Sequence, residues 1–80
     1  MAASIAFTPP ARIIRALTLA DLLDAAGIAA SDAATMHPAE WRMLAQAGRT
    51  PIPSQTTREM VVTLLSRRES VRIQFKSQGR

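Results

Sequence analysis

Proline and glycine cut this chain into short pieces, and the pieces decide what it can become. Pro9, Pro10, Gly27, Pro38, Gly48, Pro51 and Pro53 fall between runs of apolar residues. Each proline removes a backbone donor and pushes the residue before it toward an extended conformation. Each glycine can adopt the left-handed turn that ends a helix. No apolar run approaches the roughly 20 residues needed to span a bilayer. The first residues carry no Lys or Arg, and the paired prolines break the apolar stretch a secretory leader would need. The chain therefore reads as soluble and cytoplasmic, with no membrane partner.

The 80 residues are enough for a single domain, 1–80, with 77–80 expected to fray. The absence of cysteine leaves no disulfide and no thiolate, and fits a reducing compartment. The core must come from aliphatic side chains, Trp41 and two phenylalanines. A scaffold of this size gains from self-association, so a homodimer is one expected partner state.

Ser4 to Thr8 alternates, with Ile5 and Phe7 on one side, which predicts a short strand ending at Pro9. Residues 11–16 admit two readings, strand or helical turn; the β-branched pair Ile13 and Ile14 favours extended. Thr18 with Asp21 has the spacing of a capping box, and Gly27 followed by Ile28 has the pattern of a Schellman ending. Together they predict a short helix, Leu19 to Ala26, with Leu19, Leu22, Leu23 and Ala26 inward. Ala29 to Thr35 reads as a loop or single turn. Pro38 and Glu40 suit a helix start, Trp41, Leu44, Ala45 and Gly48 share a face, and Gly48 terminates it. Pro51 and Pro53 hold an extended connector.

The next helix begins at Ser54 or Thr56, with Thr56 and Glu59 at capping-box spacing. It buries Met60, Val61, Leu64 and Leu65, with Val62 widening the stripe, and closes on Arg67 and Arg68, which complement its negative end. Val71, Ile73 and Phe75 then alternate with Arg72, Gln74 and Lys76, the period of a strand. The expected fold class is α+β: three short helices packed on a small antiparallel terminal β-ribbon, mainly helical.

The chemistry of catalysis is missing from this pattern. His37 is the only histidine and sits beside Pro38 at a predicted helix start, with no nucleophile placed near it. Asp21 and Asp24 read as a solvated helix start. There is no glycine-rich phosphate loop and no metal-ligand spacing. The aromatics fall on apolar faces, where Trp41, Phe7 and Phe75 serve the core. The chain reads as a non-enzyme without catalytic, cofactor-binding or metal-binding residues.

Charge supplies the remaining signal. Up to residue 66, Arg12, Arg15, Arg42, Arg49 and Arg58 balance Asp21, Asp24, Asp32, Glu40 and Glu59. The net charge of +4 lies in the last stretch, where Arg67, Arg68, Arg72, Lys76 and Arg80 face only Glu69. A neutral body with a basic end suggests contact with an acidic surface or with phosphates. Arg67, Arg68, Arg72 and Lys76 are the expected partner-binding residues. Cations alone would give non-specific, salt-dependent binding to nucleic acid.

Two resemblances bear on function. The stretch His37-Pro38-Ala39-Glu40-Trp41-Arg42-Met43-Leu44 resembles the helix that opens the DNA-binding core of winged-helix regulators of the multiple-antibiotic-resistance type. That resemblance implies a later helix over 54–66, a wing strand over 70–76, and DNA as partner. The second resemblance is one of size and character. A small, cysteine-free chain without a catalytic constellation looks like the inhibitors encoded by phages and mobile elements, among them anti-CRISPR proteins. It implies a stoichiometric inhibitor in the bacterial host cytoplasm, docked on a protein or nucleoprotein complex such as a CRISPR effector. A small phage structural or assembly protein is the further alternative.

Overall fold

The computed structural model describes residues 10–78, and the side chains of residues 10–76. Four helices follow one another: α1 (Ala11–Ala25), α2 (Ala30–Ala34), α3 (Pro38–Ala47) and α4 (Gln55–Gln78). No strand occurs among the described residues. The expected α+β fold with a terminal ribbon is therefore corrected to a helical one. The strand expected over 4–8 lies outside the described residues. The strand expected over 71–76 is the end of α4, which runs on past Arg67 and Arg68 for another three turns; Ser77 and Gln78, expected to fray, are still helical.

The first helix is longer than its capping signals suggested. Residues 11–16 are helical and not extended: Ile13 N–H and Ile14 N–H both reach the Pro10 carbonyl, at 2.9 and 3.2 Å. Thr18 is mid-helix and caps nothing. Its Oγ1 donates to the Ile14 carbonyl at 3.0 Å, the back-bond by which a hydroxyl is accommodated inside a helix. The buried stripe is Ala16, Leu19, Ala20 and Leu23, spaced i, i+3, i+4 and i+7; Leu22 is half-buried and Ala26 exposed. The end of α1 forms as the sequence implies. Gly27 takes φ 75°, and Ile28 N–H closes the Schellman bond on the Leu23 carbonyl at 2.9 Å.

The segment expected to be a loop or single turn contains α2. Its first N–H, on Ala30, donates to Oε2 of Glu69 at 2.7 Å. A carboxylate from α4 thus caps a five-residue helix that has no side-chain cap of its own. Glu69→Ala removes that acceptor and is expected to destabilise the protein by about 1–2 kcal/mol. Urea denaturation measures it, and an unchanged midpoint would show that the cap does not hold α2 in place.

The third helix matches its expected bounds. His37 Nδ1 accepts from Ala39 N–H at 3.1 Å, and Glu40 Oε1 accepts from His37 N–H at 2.9 Å. The left-handed residue after α3 is Arg49, with φ 55°, and not Gly48. Gly48 has a different reason to lack a side chain: a Cβ there would sit 3.0 Å from Leu22 Cδ1 and 3.5 Å from Thr18 Cγ2. It lets the end of α3 close on α1. At the start of α4 the cap is Ser54, whose Oγ accepts from Thr57 N–H at 3.2 Å; the Thr56–Glu59 box does not form.

One apolar cluster joins the elements. Ala16, Leu19, Ala20 and Leu23 of α1, Ala30 and Ala33 of α2, Trp41 of α3, and Val61 and Leu65 of α4 are all buried in it. Met60, Val62 and Leu64 pack against it, so the stripe expected on α4 is correct. The small residues Ala16 and Ala20 let α1 and α4 approach closely.

Candidate docking surface at the end of the fourth helix

The two long helices run in the same direction. Arg15 and Leu19 meet Ser54 and Thr57 at one end, and Asp21 and Asp24 meet Arg68 and Arg72 at the other. At 1.5 Å per residue, α4 is about 13 Å longer than α1. Asp24 lies one residue before the end of α1 and pairs with Arg72. The part of α4 beyond Arg72 therefore runs past the body.

The four cations expected to form one patch divide into two groups. Arg68 Nη2 lies 2.9 Å from Asp21 Oδ1, and Arg68 Nη1 lies 3.5 Å from Asp24 Oδ2. Arg72 Nη2 donates to both oxygens of Asp24 at 2.6 Å. Asp21 and Asp24 are thus partners in a cross-helix lattice, which corrects their reading as a solvated helix start. Arg67 and Lys76 have no carboxylate partner among the described residues.

The hydrogen bond from Arg72 draws the Asp24 carboxyl below its ordinary value; partial desolvation opposes it, and the charges of Arg72 and Arg68 add to the lowering. The same bond raises Arg72. A lowered folded value means that the unfolded chain binds more protons as pH drops. The stabilisation is complete above the unfolded value near 3.8 and is lost as pH falls through the lower folded value. Asp24→Asn is expected to melt below the parent at neutral pH, and the gap should close in strong acid. A gap that persists unchanged at low pH would mean that the carboxylate charge is not what locks α1 to α4.

Around and beyond Arg72, α4 exposes apolar side chains. Val71 is 59 % exposed, Ile73 66 % and Phe75 74 %. Phe75, expected in the core, is thus at the surface. Helical spacing puts Arg67, Val71 and Phe75 in one row and Glu69, Ile73 and Lys76 in another. Ile73 and Phe75 flank Arg72 and Lys76 around a shallow hollow of about 530 Å³. The wing strand implied by the winged-helix resemblance falls on this helical segment, so no wing forms there.

His37, the lone imidazole, caps α3 as described. Among the described residues no group of three His, Cys, Asp or Glu is placed to hold a metal ion, and no helix is long and apolar enough to cross a membrane. Sequence patterning missed Val71, Ile73 and Phe75 as surface residues because it assigned them to the inner face of a strand. The available signal was the absence of any proline or glycine between Ser54 and Gln78. No protein family, curated protein or solved structure matches this chain.

Proposed function

We propose that the chain is a non-enzymatic binding protein that inserts the end of α4 into a partner, and that the partner is a bacterial defence nucleoprotein complex of the CRISPR effector kind. On this reading the protein is an inhibitor carried by a phage or mobile element. The observation behind it is the exposed row of Val71 and Phe75, with Ile73 across the hollow from it and with Arg67 and Lys76 unpaired on the same helix. An apolar helix surface with cations around it suits an apolar groove rimmed by carboxylates or phosphates, the helix-in-groove mode of recognition. Arg68 and Arg72, engaged with Asp21 and Asp24, hold the helix in position and contribute less to the contact. Arg67 and Lys76 steer the encounter, so their effect lies in on-rate and salt dependence.

The test is target cleavage by a panel of purified CRISPR effector complexes with increasing amounts of this protein. Inhibition of one complex, complete near one equivalent per binding site, together with co-elution of the two, is the expected result. Full cleavage by every complex at large excess would refute the inhibitor reading. A mobility shift of random duplex at low salt, without inhibition, would indicate direct DNA binding in its place.

A further inference from the structure

A second concave feature lies on another side of the molecule, where α2, α3 and α4 meet. It is an open cleft of about 420 Å³. Met36, Trp41 and Val62 form an apolar wall, and Gln55, Arg58 and Glu59 form a polar one. The volume falls within the range of small-molecule sites.

Arg58 is the unusual member. Its side chain is half-buried, and its Nε is shielded from solvent without an acceptor. It forms no ion pair with a carboxylate among the described residues. Glu59 lines the same cleft but accepts instead from Gln55 Nε2 at 3.1 Å. A shielded guanidinium donor left without an acceptor is unfavourable, and folding tolerates few of them. Arg58 is not part of the apolar core, to which α4 contributes Val61 and Leu65.

We propose that this cleft binds an apolar monocarboxylate, with its carboxylate on Arg58 and its hydrocarbon body against Trp41, Met36 and Val62. The planar guanidinium fork matches a carboxylate, which would meet its two Nη groups, neither of them held by a protein acceptor among the described residues, while the shielded Nε stays behind them. A single negative charge matches Arg58; a dianion such as phosphate would be repelled more strongly by Glu59, which lines the same cleft, and would leave the apolar wall unfilled. The inference stands apart from the docking surface at the end of α4, and either can fail without the other.

Trp41 is the only tryptophan and is 3 % exposed at the back of the cleft, so its fluorescence reports occupancy. The probes are 3-phenylpropionate, its uncharged counterpart 3-phenylpropanol, and inorganic phosphate. The acid is expected to give a saturable change, with the alcohol weaker on the order of ten- to a hundredfold and phosphate without effect. Arg58→Gln should bring the acid down to the level of the alcohol, leaving the alcohol's affinity and the melting temperature unchanged. Arg58→Lys retains the charge but lacks the planar fork, and should fall between. Equal binding of acid and alcohol, phosphate binding as tightly as the acid, or an acid affinity unaffected by either substitution would overturn the proposal.

Discussion

Leu65→Ala is expected to destabilise the protein by about 2–5 kcal/mol. Leu65 is 2 % exposed, at the centre of the cluster. Much of that cluster is alanine, so Leu19, Leu23, Val61, Leu65 and Trp41 provide most of its volume. Helices could in principle move together to fill the space left by a lost side chain. Here the Asp21–Arg68 and Asp24–Arg72 pairs fix α4 against α1, and Glu69 fixes it against α2. The cavity should therefore remain open, toward the costly end of the range. A chain of this length has a total stability on the order of 5 kcal/mol, so the variant should be largely unfolded or close to it. Urea denaturation followed at 222 nm measures the loss. Met43→Ala, at a position 68 % exposed, should change little. A loss below about 1 kcal/mol for Leu65→Ala would mean that α4 is not packed at this position.

The parts of the fold that can be read from sequence are those whose instructions are local. Pro38 with Glu40 starts α3, and Gly27 with Ile28 ends α1, because each signal acts within one turn of backbone. The stripe of Val61, Leu64 and Leu65 is equally plain. The errors occurred where one residue type serves two purposes. A threonine followed three residues later by an aspartate is a cap if the chain enters there. At Thr18 it is instead a back-bonded hydroxyl inside a longer helix, with Asp21 facing a partner 47 residues away.

The alternation of Val71, Ile73 and Phe75 with polar residues is the pattern of a strand, but a strand needs a neighbour to supply its hydrogen bonds. A helix that meets no breaker supplies its own. The pairing of Asp21 and Asp24 with Arg68 and Arg72 is a spacing of three on one helix against four on another. It becomes visible only once both segments are known to be helical. The basic end was legible as composition, but its division into engaged and unpaired cations depends on tertiary contacts that no local pattern records. Arg58 gave no signal in the sequence, since an orphaned donor is defined by what fails to surround it.

The largest functional effect is expected from the apolar row at the end of α4. Replacing Val71 and Phe75 together by serine preserves every charge and leaves the lattice behind them intact. Both side chains are already exposed, so stability should change by less than about 0.5 kcal/mol. If α4 is the inserted element, an aromatic anchor and its neighbour are the groups a partner would desolvate, and truncation at such positions costs about 2–4 kcal/mol each in favourable cases. Binding to the partner identified by inhibition should then weaken by more than about a hundredfold, mainly through faster dissociation. Arg67→Glu with Lys76→Glu should behave differently, slowing association and flattening its dependence on salt. The two variants thus separate contact from steering. If the serine pair binds as the parent does while the charge-reversed pair does not, attraction between charges alone carries the interaction. If both bind as the parent does, the end of α4 is not where the protein meets its partner.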